Sequence, residues 1–228
     1  MDYHYYQKKG AYHENRGMSC EDAYLIAEDS ACSLIALADG VSACAFGKCG
    51  AEKALEALLD FVQREGEAVF SHGSPKLAYL LLEHVLYYLE LEAVAKQADL
   101  REFSSTLAFA CIDKKTGRTV IGNLGDGSAI AVLQDTFKPI SGPGRPAHHL
   151  FVTTSKFAAR AMSIQHLELS PGDSLLLGTD GFVHAALSMG SGGTGIFEML
   201  RDFDFRELDS FLDTFPEADD CTCVAVRC

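Results

Sequence analysis

Runs of apolar residues, β-branched or alternating with polar ones, predict strands at Tyr3–Lys8, Asp22–Ala27, Cys32–Ala38, Ser105–Ile112, Thr119–Leu124, Ser128–Leu133, Ile164–Leu169, Ser174–Gly178 and Thr222–Arg227. Between the third and fourth of these, two long stretches carry apolar residues at helical spacing, Gly47–Glu65 and Pro75–Ala98. In the second, Ser74 is the expected N-cap and Pro75 occupies the first helical position, where its missing N–H is harmless. Shorter helices are predicted at Thr194–Asp202 and Phe205–Thr214. Strands come in runs and helices in blocks, an order that predicts an α+β fold of largely antiparallel sheets covered by helices, not a doubly wound sheet. No repeat or linker divides the chain, so residues 1–228 are read as a single domain. Loop signals concentrate at Ser141–Pro146 and at Met189–Gly195, whose glycines suit a mobile flap.

Composition narrows the function. With 48% hydrophobic and 22% charged residues the chain has the make-up of a compact globular protein, and its formal charge of −13 excludes a nucleic-acid binder that tracks the phosphate backbone. A phosphate-bearing substrate would meet the same repulsion, because no Lys/Arg cluster offsets it; bound metal ions would. The N-terminal residues lack a signal-peptide core, and the greasiest stretch, Lys76–Ala95, is broken by Glu83, His84, Glu90 and Glu92, so no membrane span is expected. Eight cysteines without a paired CxxC framework are expected to be reduced thiols, which places the protein in the cytoplasm. Cys221 and Cys223 share a face of the last strand and read better as buried small hydrophobes than as zinc ligands.

Candidate chemistry lies in the acids. Three apolar strands run into Asp-Gly, at Asp39-Gly40, Asp126-Gly127 and Asp180-Gly181. Asp-Gly between strands is a strong hairpin signal, and the strand-like SAIAVL after Asp126 keeps the turn reading open there. After Gly40 and Gly181 the sequence turns helical or glycine-rich, so a hairpin does not explain those two aspartates. Glycine beside each acid permits close backbone approach to a ligand, and its carbonyl can itself coordinate a cation. Glu21-Asp22 and Asp219-Asp220 likewise precede strands, so five aspartates meet on one edge if these strands are neighbours. Such carboxylates resist joint ionisation unless cations neutralise them. All-oxygen ligation selects Mg²⁺ or Mn²⁺, and two such ions can activate a water and hold both oxygens of a phosphoryl transfer.

GAYHENRGMSCEDA, ALADGVSACAFGKCGA, FSSTLA, IGNLGDGSA, LSPGDSLLLGTDGF and ADDCTCVAV, in that order, resemble the motifs of the type 2C metal-dependent serine/threonine protein phosphatases, the PPM family, in its compact bacterial branch. The resemblance implies a four-layer sandwich of two antiparallel β-sheets flanked by helix pairs, with metals at one end. It implies hydrolysis of phosphoserine or phosphothreonine by direct attack of a metal-activated water, a phosphorylated protein as substrate and a cognate Ser/Thr kinase as a partner; a monomer is expected. Carried over, Asp39 bridges two Mg²⁺ or Mn²⁺ ions, the Gly40 carbonyl binds one of them, Asp180 and Asp219 complete the other, and Asp22 acts through waters. Asp126 matches the position that helps hold a third ion. Val41 stands where many members have a proton-donating His, which leaves His13 as a candidate acid or as a polar tether. Arg16 is the nearest candidate for phosphate binding, and Asp220 replaces the usual Asn. The competing readings are a non-catalytic regulatory or phosphoprotein-binding module of the same fold and a hydrolase of small phosphate esters. His72, His84, His148, His149, His166 and His184 match no motif and are read as surface or core residues.

Overall fold

The computed structural model describes residues 1–141, 150–189 and 194–228. In chain order the elements are β1 (Asp2–Lys8), α1 (Ala11–Arg16), β2 (Asp22–Glu28), β3 (Cys32–Asp39), α2 (Gly47–Glu65), α3 (Ala68–Ser71), α4 (Ser74–Lys96), β4 (Leu107–Asp113), β5 (Arg118–Leu124), β6 (Ser128–Leu133) and β7 (Thr136–Ser141). There follow α5 (Ala158–Ala161), β8 (Ser163–Glu168), β9 (Ser174–Gly178), α6 (Asp180–Ser188), α7 (Thr194–Asp202), α8 (Arg206–Thr214) and β10 (Cys221–Arg227). One five-stranded sheet has the order β1-β10-β9-β6-β7 and the other β2-β3-β4-β5-β8. Every named pairing is antiparallel.

Side-chain alternation stacks the layers. In β3, Ile35 and Leu37 face the space between the sheets, where they meet Leu175 and Leu177 of β9 and Val224 and Val226 of β10. Leu34, Ala36 and Ala38 point the other way, onto Ala54, Leu58 and Phe61 of α2 and Leu81 and Val85 of α4. On the far side of the molecule Leu176, Cys223 and Ala225 meet Phe182 of α6, Leu200 of α7 and Leu208 of α8. The result is the expected four-layer α+β sandwich, with a long helix pair on one side and three helices on the other. Strands buried on both faces are why the sequence reads as continuous apolar runs.

Several boundaries differ for physical reasons. Helix α4 begins at Ser74 itself, with Gly73 in the extended cap position, so Ser74 is not the N-cap. It ends at Lys96 because Gln97 turns left-handed, φ 54°. Ser105 falls outside β4: it forms an isolated bridge with Gly40 and takes Thr153 as a partner. Asp126 does not close a hairpin, since β5 and β6 lie in different sheets and the Asp-Gly pair carries the chain across the sandwich. The flap expected at Met189–Gly195 and the loop at Ser141–Pro146 lie mostly outside the described residues, as do His148 and His149. Among the described residues, no helix is long and apolar enough to cross a membrane.

Candidate metal centre

The β2–β3 register sets Asp22 directly opposite Asp39, at the first position of one strand and the last of the other. The Asp39 backbone is clamped by Thr106, whose N–H donates to the Asp39 carbonyl at 2.8 Å while its hydroxyl accepts from the Asp39 N–H at 2.9 Å. Gly40 is then pinned between Glu21, whose carbonyl accepts its N–H at 3.2 Å, and the start of α2. A Cβ at Gly40 would lie 2.4 Å from the Gly47 carbonyl carbon, so only glycine fits. Asp180 opens α6 immediately beyond β9, and a Cβ on its neighbour Gly181 would stand 2.2 Å from the Asp220 carbonyl oxygen. The glycines beside these acids thus admit other backbone segments, which brings the β3, β9 and β10 ends together.

The carboxylates sense one another. Burial pushes Asp39 well above the usual carboxylate range, and the charges of Asp22, Asp180, Asp219 and Asp126 add to it. Burial raises Asp22 to about 7, with Asp220 and Asp180 adding to the shift. Asp180 rises to about 6, from burial first and then from Asp126 and Asp219; Asp126 rises through burial and Asp219. Asp22 is 4% exposed; its Oδ2 accepts from the Thr179 hydroxyl at 3.2 Å, while its Oδ1 is buried without any hydrogen-bond partner. A buried carboxylate oxygen without a partner, beside Asp39, Asp180 and Asp220, fits a cation. Among the described residues no three His, Cys, Asp or Glu side chains close a cage around one point. The acids that sense one another are all aspartates, and oxygen ligands of that kind suit a hard ion such as Mg²⁺.

The other two acids of the doublets face backwards. Asp220, 2% exposed, accepts from the Gly10 N–H at 2.8 Å and the Glu21 N–H at 2.6 Å. His13, 1% exposed, puts Nδ1 2.9 Å from Asp220 Oδ2 and Nε2 3.2 Å from Glu21 Oε2. Burial works against the imidazolium, but Asp220, Glu21 and Asp219 outweigh it and the His13 pKa is raised. This clip joins α1, β2 and β10; the sequence offered His13 as a polar tether but not its partners Asp220 and Glu21. The clip also removes His13 from the solvent, which favours the tether over the proton donor. Arg16 stays on the surface of α1, its guanidinium 3.7 Å from the Tyr12 ring centre and donating to the Tyr12 carbonyl. Tyr12 in turn lines an open depression of about 240 Å³ with Ser42, Ala218 and Asp219.

The sequence profile of protein phosphatase 2C matches residues 9–216. The chain belongs to that family. No curated protein matches it. Among solved structures it is similar to PppA, a key regulatory component of the T6SS in Pseudomonas aeruginosa, at 20% identity over 99% of this chain and 96% of that one, with a TM-score of 0.71. The Mycobacterium tuberculosis serine/threonine phosphatase PstP aligns at 16% identity over 98% and 97% of the two chains, TM-score 0.70. The PstP catalytic domain in complex with 2 manganese ions aligns at 18% identity over 98% and 96%, TM-score 0.67. At these identities the likeness carries the sandwich fold.

Proposed function

We propose that this chain is a metal-dependent protein phosphatase that hydrolyses phosphoserine or phosphothreonine on another protein. The observation that carries the reading is the set of five aspartates at the strand ends, among which burial and acidic neighbours raise the pKa of Asp22, Asp39, Asp126 and Asp180. Asp39, the Gly40 carbonyl, Asp180 and Asp219 would hold two Mg²⁺ or Mn²⁺ ions, Asp22 would act through waters, and Asp126 would help hold a third. When bound, the ions supply the positive charge that receives a phosphate and the activation of a water for in-line attack. That the PstP catalytic domain, of the same fold, was solved in complex with 2 manganese ions supports the choice of ion.

The chain's own residues do the rest. Thr106 fixes the Asp39 backbone and Thr179 orients Asp22. Arg16, on the rim beside Tyr12, is the candidate to meet the substrate phosphate, a role that requires it to leave the Tyr12 ring. The Asp220–His13–Glu21 clip holds the backbone that presents Asp22 and Asp219. A regulatory module of the same fold is the second reading, because among the described residues no group of three His, Cys, Asp or Glu side chains is placed to hold a metal ion. Hydrolysis of a phosphothreonine peptide in Mn²⁺, Mg²⁺ and chelator, with Asp39→Asn as control, separates them: metal-dependent turnover lost in the variant is expected, and metal binding without turnover establishes the module instead.

A further inference from the structure

Helix α4 buries Leu77, Leu81, Val85 and Leu89 beneath it, yet its opposite face mixes large apolar side chains with the exposed acids Glu83 and Glu90. Tyr79, Tyr87, Leu91 and Val94 are 58%, 55%, 54% and 78% exposed, and their helical spacing aligns them along one side. Phe157, at the start of α5, is a further 50% exposed. Between α4 and the approach to α5 runs an open groove of about 450 Å³ with Leu82, Leu86, Ala158 and Ala159 in its lining. Large apolar side chains exposed together on one helix face, interspersed with two acids, mark an interaction site.

Charge says what covers it. The α4 wall of the groove carries Glu83 and Glu90; the α5 wall carries Lys156, and Arg160 stands with it against the Phe157 ring. The acids of the helix pair that do form bridges are others: Glu56 with Lys53, Asp60 with Arg64 and His84, Glu65 with His72, and Glu92 with Lys96. Among the described residues, Glu83, Glu90, Lys156 and Arg160 have no ion-pair partner. A foreign ligand of one sign would satisfy one wall and oppose the other. Opposite signs on the two walls of one apolar groove are complementary to the same surface turned through a two-fold axis. The four charges also cancel locally, which allows two molecules of net charge −13 to meet at this face.

We propose that the outer face of α4 and α5 is the interface of a homodimer, in which the acidic wall of each copy meets the basic wall of the other. The face shares no residue with the aspartate cluster, so the dimer and the phosphatase reading stand or fall separately. It departs from the monomer expected from the sequence.

Sedimentation velocity on the full chain, up to about 100 μM, tests it, since a dimer of this kind should have a Kd on the order of 10 μM or tighter. The double variants Glu83→Lys/Glu90→Lys and Lys156→Glu/Arg160→Glu should each weaken self-association by about tenfold or more, and an equimolar mixture of the two should associate again as a heterodimer. Val94→Arg should weaken the dimer without touching either charged wall. All substituted residues are exposed, and unchanged thermal unfolding confirms the fold. A monomer throughout the concentration range, or a dimer indifferent to all three variants, overturns the proposal. So does a wild-type monomer that binds a basic amphipathic peptide in the groove, because the occupant is then a different partner.

Discussion

Asp220 shows how one residue can matter without touching substrate. Its two oxygens accept from the Gly10 and Glu21 N–H groups and stand beside a buried imidazole, so truncation leaves two buried donors and a raised-pKa histidine without a counter-charge. Asp220→Ala should therefore destabilise the protein by about 2–4 kcal/mol, read from urea unfolding. Asp220→Asn keeps a carbonyl for one of the donors and should cost less. A loss under about 0.5 kcal/mol for the alanine variant would mean that water replaces the clip. Asp39→Asn is the opposite kind of change: a carboxylate repelled by four others is neutralised, the fold stays, and turnover should fall by a factor on the order of 100 or more if metal-assisted phosphoryl transfer is the chemistry. Wild-type turnover in that variant would remove Asp39 from the mechanism. The aspartates themselves were readable because each sits at the end of an apolar strand. The clip was not, because its hydrogen bonds join residues 210 and 199 positions apart, and nothing local marks them.

Among the elements, burial decided what the sequence could reveal. Strands β3, β4, β9 and β10 are packed on both faces and announce themselves as apolar runs. Strand β7 did not: Lys138 and Pro139 interrupt it, as an edge position permits, since it pairs only with β6. Helix α1 is only six residues long and showed no helical signature, whereas α6 was legible only as a helical or glycine-rich turn of the chain after Gly181. The β4–β5 hairpin offers a test at this scale. Asp113 accepts from the Lys115 and Thr116 N–H groups and from Arg118, and the Arg118 bond leads in holding its pKa down to about 2. A folded pKa below the unfolded value gives stability that is present above about pH 4 and lost as pH falls toward 2. Asp113→Asn should therefore lower the unfolding midpoint at pH 7 and have progressively less effect as acid is added. A destabilisation of equal size at pH 2.5 and pH 7 would show that packing, not the carboxylate charge, holds the turn.

For the whole molecule the opposing terms are a three-part core and a cluster of mutually repelling aspartates. Folding without ions forces Asp22, Asp39, Asp126 and Asp180 into pKa values above their normal range, which is free energy taken from the folded state at neutral pH. Ions that bind only the folded chain return it, by about 2.7 kcal/mol when their concentration is a hundred times Kd. Mn²⁺ should therefore raise the thermal midpoint of chelator-treated protein. Asp39→Asn should do two things at once: raise the midpoint of the ion-free protein, because one repelling charge is gone, and abolish most of the Mn²⁺-dependent rise, because a ligand is gone. Opposite movements of the ion-free and ion-loaded midpoints are what separate a cation site from a cluster of acids that merely tolerate one another. If the variant shifts as far with Mn²⁺ as the wild type does, the five aspartates do not form a metal centre around Asp39.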